Sequence, residues 1–184
     1  LSPRQLALIE PFCISYHGVS RANVQPGDKV LIVGAGTIGV LAAIAAKAKG
    51  GEVYIADVAE AKLKYAYETF GLAGMILNDD PDTFMDKVNA VTGGHHGFDV
   101  TIEAVGLPST FQNCIDAAAY GARVVQIGVG RQKLDFDFTV IQKKELNIFG
   151  SRNALKKDFL ELIDLVKNGG ADLEKIVMNK GAME

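Results

Sequence analysis

The sequence predicts an α/β domain built on a doubly wound parallel sheet. Three observations lead there. Short Val- and Ile-rich runs alternate with longer amphipathic segments along the whole chain, the rhythm of strands and covering helices. Most of those runs are apolar on both faces, as a sheet with helices on each side requires. A glycine triplet falls where the first run ends and the first long helix begins.

The elements follow in order. Residues 1–23 lean helical, with apolar Leu6, Ile9, Ile14 and Val19 among polar neighbours. Pro26-Gly27-Asp28 makes a turn into a first strand over Lys29–Val33. Further strands are expected over Glu52–Ala56, Gly74–Leu77, Phe98–Glu103, Ala122–Ile127 and Leu146–Phe149. Helices are expected between and after them, over Thr37–Lys49, Glu60–Phe70, Asp82–Val91, Pro108–Ala119 and Lys156–Asn168. Six strands of this kind are expected in the order 3-2-1-4-5-6.

Composition narrows the function. The chain has 184 residues, 48 % of them hydrophobic, which suits one ordinary domain with a sizeable core. Its 19 Lys and Arg against 22 Asp and Glu leave a net charge of −3 and no electrostatic footprint for nucleic acid or an anionic membrane. The longest apolar run, Val40–Ala46, falls far short of the roughly 18 residues that span a bilayer. Cys13 and Cys114 make neither a disulfide framework nor a four-ligand zinc site, and read as small buried hydrophobes. With no charged-then-apolar leader, a cytoplasmic location is expected. The start at Leu1 suggests either trimming or a piece cut from a larger protein.

The glycine triplet is Gly34-Ala35-Gly36-Thr37-Ile38-Gly39, directly after Val30-Leu31-Ile32-Val33. Gly34 allows the tight turn, Gly36 lets backbone approach a pyrophosphate, and Gly39 lets helix pack closely on strand. Free N–H groups at the helix start attract the anion. A strand-to-helix turn without a ligand would use the same glycines, so Asp57 is the second element. It closes the next strand, 23 residues after Gly34 and 18 after Gly39, where an acid holds the ribose hydroxyls of an adenine dinucleotide. A carboxylate there repels a 2′-phosphate, and Val58, Ala59 and Glu60 bring no Arg, which favours NAD over NADP. A surface Asp capping the following helix is the alternative. The pattern is that of a Rossmann fold; Gly39 argues against a methyltransferase, and no Tyr is followed four positions later by Lys, as a short-chain dehydrogenase needs.

The chain resembles the medium-chain, zinc-dependent alcohol and polyol dehydrogenases, and within them the sorbitol, threonine and sugar-acid branch. Glu10-Pro11, the run Val24–Val30, the glycine loop, Phe98–Gly106, Gly121–Val125 and Glu145–Ser151 carry the likeness. The resemblance implies that Thr37 and Ile38 face the pyrophosphate, while Val58 and Lys62 border the adenosine. It implies that Ala104, Val105 and Gly106 line the turn after the fourth strand, and that Ile127, Gly128 and Val129 lie near the nicotinamide. Ala104, Val105 and Ile127 read equally as core, and Lys62 as a solvated helix lysine.

In the family, a Cys and a His-Glu pair from a separate barrel-like domain hold the catalytic zinc, and this sequence has no such motif. The resemblance therefore implies a cofactor domain over residues 24–184, preceded by a lead-in helix, 1–23, from a catalytic domain outside this sequence. Glu10 matches a position that approaches zinc, and would do so only in an intact enzyme with a small alcohol substrate. His95 and His96 fall in a polar loop and His17 on the first helix, all read as packed or solvated rather than metal-binding. Arg152 and Asn153 follow the sixth strand and could reach cofactor or substrate. The last strand is short and apolar, without Pro or Lys, and its free edge suggests pairing with a second copy, as the resemblance also implies. The chain by itself is expected to bind NAD without catalysing; the rival reading is a non-catalytic, NAD-responsive regulatory module.

Overall fold

A computed structural model describes residues 2–93 and 96–177. The elements are α1 (Pro3–Arg21), β1 (Lys29–Val33), α2 (Thr37–Ala48), β2 (Glu52–Asp57), α3 (Glu60–Phe70), β3 (Gly74–Leu77), α4 (Phe84–Thr92) and β4 (Phe98–Glu103). There follow α5 (Pro108–Ala117), β5 (Ala118–Gln126), α6 (Thr139–Lys143), β6 (Asn147–Gly150), α7 (Lys156–Lys167) and α8 (Leu173–Val177). All six strands pair in parallel, in the order β3-β2-β1-β4-β5-β6, as the sequence predicts.

The strands feed two cores because side chains alternate across a sheet. Val30, Ile32, Val53, Ile55, Val100 and Ile102 face α1, α2, α3 and α7. Leu31, Val33, Tyr54, Ala56 and Val124 face α4 and α5, where Phe84, Val88, Cys114 and Ile115 meet them. Helix α2 is buried from Gly39 to Ala46, which fixes it against β1.

The first helix belongs to the first of these cores. Ser2 caps it, with Gln5 returning the hydrogen bond and Pro3 at the first turn. Its buried residues are Phe12, Cys13, Ser15, Tyr16, Gly18 and Val19, whereas Leu6 is exposed and Ile9 and Ile14 only half-buried. Arg123 of β5 then holds the end of α1 by donating to the carbonyls of Ala22 (3.2 Å) and Asn23 (2.7 Å) and to Asp28 (2.8 Å).

Some boundaries differ from the sequence reading. The strand expected from Ala122 begins at Ala118, straight out of α5, so Ala118 and Ala119 are not helical. Phe98 pairs with Ala118 but Val100 with Arg123, so two steps along β4 match five along β5, and the excess bulges out at Tyr120 and Gly121. Lys144 makes the abrupt helix-to-strand change possible. Its ammonium donates to the carbonyls of Ile115 (3.1 Å), Asp116 (2.9 Å) and Ala118 (2.9 Å), where helix carbonyls lack partners. Burial lowers the Lys144 pKa from its ordinary value, with Asp116 opposing.

Helix α4 starts at Phe84 rather than Asp82, because Asp80 takes the N–H groups of Asp82 and Thr83 into a turn first. Strand β6 starts at Asn147 rather than Leu146, whose N–H donates to the Ile141 carbonyl of α6. Helices α6 and α8, five residues each, are too short to show a period and were not expected from sequence. Among the described residues, no helix is long and apolar enough to cross a membrane.

Candidate functional site

The carboxyl ends of the strands form one rim, and the strand order reverses between β1 and β4, where ligands settle in such sheets. At that point β1 gives way to the glycine loop. Gly34 has φ +112°, closed to most side chains, and its N–H donates to Ala56 at 2.7 Å. A Cβ at Gly39 would overlap the Gly34 carbonyl, so helix and loop meet at a distance only glycine permits. Gly36 is different: it is the N-cap of α2, in ordinary extended backbone, and the space where its Cβ would stand is open for 4 Å. No side chain caps the helix there, which leaves the amides of the first turn, at Thr37 and Ile38, available to an anion. The loop therefore offers an uncapped helix start behind a residue with no side chain.

Asp57 stands beside this loop at the end of β2. One carboxylate oxygen accepts from Ala35 N–H at 2.6 Å and the other from Ala59 N–H at 2.8 Å. It thus props the glycine loop against the start of α3 while remaining half-buried at the rim. The bond to Ala59 falls on the residue that precedes α3, so Asp57 closes a turn there and leaves the first amides of the helix uncapped. The next residue, Val58, is 69 % exposed, and Lys62 lies half-buried one turn into α3 without an ion pair.

On the other side of the switch point, the β4–α5 turn and the end of β5 press backbone on backbone. Ala104 is half-buried, Val105 exposed and Gly106 buried with φ +90°. A Cβ on Gly106 would come within 2.6 Å of the Val129 carbonyl, and one on Gly128 would overlap the Gly106 amide. Ile127 is buried, whereas Val129 is 93 % exposed and stands off the rim. The Val105 side chain reaches back to Gly34, so the two halves of the rim touch at the switch point.

Glu103 holds this half together, and the sequence reading did not single it out. One of its oxygens accepts from Val105 N–H (2.9 Å), Gly106 N–H (2.8 Å) and the Thr110 hydroxyl (2.7 Å). Its own carbonyl accepts from Ile127 and Gly128. The only signal in the sequence was an acid at the end of a strand that is buried over most of its length.

A cavity of about 650 Å³ opens at the ends of β5 and β6, lined among others by Ile14, Ile127, Gly128, Ser151, Arg152 and Asn153. Glu10 is exposed one turn before Ile14 on α1. Cys13 lies buried behind it; burial first, then Asp158 and Glu10, push its thiol up to about 11, so it stays protonated near neutral pH. Burial likewise raises the Cys114 thiol, and Glu103 adds to it. His17 reaches across to the buried Asp158 at 2.8 Å, joining α1 to α7, while Asp158 also takes the Leu155 N–H at the start of α7. Among the described residues no three His, Cys, Asp or Glu side chains converge to hold a metal. His96 is exposed, and His95 lies outside the described residues.

The sequence profile of the zinc-binding dehydrogenases matches residues 37–168. L-galactonate-5-dehydrogenase of Escherichia coli K12 is 37 % identical over 92 % of this chain and 49 % of its own length. An alcohol dehydrogenase of Escherichia coli CFT073, solved with NADH, superposes with a TM-score of 0.85 at 28 % identity, over 95 % of this chain and 51 % of that one. A zinc-binding dehydrogenase of Sinorhizobium meliloti, solved with NADP, gives 0.83 at 28 % identity, over 95 % and 52 %. The chain spans about half the length of the curated relatives it matches. With the family profile covering most of the sheet and its helices, this chain belongs to the zinc-binding dehydrogenase family.

Proposed function

We propose that this chain is the NAD-binding part of a zinc-dependent dehydrogenase that oxidises a secondary alcohol of a polyol or sugar acid. The observation that supports it best is the uncapped start of α2 behind the open space at Gly36, with the Asp57 carboxylate one strand away. Gly36, Thr37 and Ile38 hold the pyrophosphate on backbone amides, and Asp57 accepts from the adenosine ribose. Val58 and Lys62 border that ribose and its base, and Gly34 and Gly39 set the loop. Ala104, Val105, Gly106, Ile127, Gly128 and Val129 wall the nicotinamide half. Bound there, NAD supplies the hydride acceptor. A carboxylate followed by Val58, Ala59 and Glu60, with no Arg among them to meet a 2′-phosphate, favours NAD over NADP.

Helix α1 is the segment that leads in from a preceding catalytic domain, with residues 24–184 as the cofactor domain, and it places Glu10 toward that domain's zinc. The side chains described here do not make a zinc site, so no catalytic step is assigned to them. Titration of NADH against the chain, followed by nicotinamide fluorescence, is expected to saturate at one site, with no turnover of polyols or sugar acids. Absence of saturable binding would refute the reading.

Pairing of two copies through β6 belongs to the same reading. This strand has β5 on one side, and the described residues put no strand on the other, with Ile148 37 % exposed on it. Sedimentation across a concentration series is expected to show a dimer. A monomer up to the millimolar range, where about 4 kcal/mol of association would register, refutes the pairing.

A further inference from the structure

We propose that the buried Glu103 carboxylate biases this site toward the oxidised, positively charged nicotinamide over the reduced, neutral one. The proposal rests on the cofactor reading above and deepens it. Glu103 is fully buried, yet among the described residues no Lys, Arg or His pairs with it; its partners there are two backbone amides and one hydroxyl, all on a single oxygen. The second oxygen is buried and has no hydrogen-bond partner. It points at Gly128, where a Cβ would overlap it, and Gly128 in turn lines the 650 Å³ cavity. Only the thin backbone of a glycine separates a desolvated carboxylate oxygen from that space.

The direction of the cofactor follows from the fold. The pyrophosphate lies at the end of β1 and the adenosine half runs toward β2, so the nicotinamide half must cross the ends of β4 and β5. Those ends are the segments Glu103 supports. A carboxylate shielded from water acts on a nearby charge far more strongly than one in solution. The ring carries a positive charge in NAD+ and none in NADH, while the rest of the molecule is the same. A charge at Glu103 therefore separates the two redox forms, whereas a purely structural Glu103 treats them alike.

Glu103→Gln tests this, because it keeps an acceptor for the Val105 and Gly106 amides and removes the charge. Affinities for NAD+, NADH and ADP-ribose, which lacks the nicotinamide, are measured calorimetrically on both proteins. Expected is a fall of about tenfold in NAD+ affinity relative to NADH, which is about 1.4 kcal/mol, with ADP-ribose unchanged. Equal changes for NAD+ and NADH overturn the proposal and leave Glu103 a structural role. Failure of all three ligands to bind the unaltered chain overturns the cofactor reading instead. Should Glu103→Gln not fold, Thr110→Val removes one of the three donors and leaves the carboxylate less compensated. The NAD+ to NADH affinity ratio is then expected to rise, by about twofold to threefold on the scale of one weakened hydrogen bond; an unchanged ratio overturns the proposal.

Discussion

Gly39→Ala is expected to lower the melting temperature by about 4–8 °C, and Gly36→Ala to leave it within about 2 °C while abolishing NADH binding. The two glycines belong to one motif but face different things. A Cβ at Gly39 meets the Gly34 carbonyl, which is backbone and cannot rotate away. Helix α2 cannot retreat either, since it is buried along most of its length. Overpacking of that kind costs about 1–3 kcal/mol or more, against a helix-propensity gain of at most about 1 kcal/mol for replacing glycine by alanine. At Gly36 the backbone is extended at φ −77° and nothing lies within 4 Å, so alanine fits the folded chain. The same methyl group occupies the approach of the pyrophosphate to the α2 amides. Calorimetric melting and NADH titration of both variants read the two effects separately. Unaltered affinity in Gly36→Ala would remove the pyrophosphate from this loop.

Asp57→Ser is expected to narrow the preference for NADH over NADPH by roughly 1–3 kcal/mol, up to about a hundredfold in relative affinity. In the proposed site, loss of the carboxylate removes both the acceptor for the ribose hydroxyls and the charge that repels a 2′-phosphate. The variant is also expected to melt lower, because the amides of Ala35 and Ala59 lose a charged acceptor. Asp57→Asn separates these effects. It retains a carbonyl for one amide, so stability recovers in part while the discrimination stays reduced. Parallel titrations with NADH and NADPH, with melting curves, check both arms. A preference unaltered in Asp57→Ser would show that selectivity resides elsewhere on the rim.

Much of the fold was legible in the sequence because its signals are local. Apolar runs such as Val30–Val33 and Val53–Ala56 are the strands themselves, and their two-sided burial requires helices on both faces. Gly34, Gly36 and Gly39 could be given distinct places before any coordinates, since a tight turn, an open approach and a close helix contact each demand the absence of a side chain. Asp57 followed from its distance along the chain. Boundaries were misread where a remote partner sets them. Nothing near Ala118 says that Lys144 will bind the last carbonyls of α5 and let a strand begin at once.

The sequence by itself determined the sheet, its strand order, the glycine loop and the acid at the end of β2, because each depends on period, spacing or the conformational freedom of single residues. Only the tertiary structure decided how side chains far apart in sequence share the work of the rim. It turned Asp57 into a prop for the loop, by bringing Ala35 within 2.6 Å. It drew Phe12, Cys13, Tyr16 and Val19 of α1 into the core of the sheet. It also made Glu103 the hub of the β4 and β5 ends, through contacts that close only when the two turns meet. A buried acid at a strand end is ambiguous until its donors are known, and those donors are set by packing between turns rather than by any local pattern.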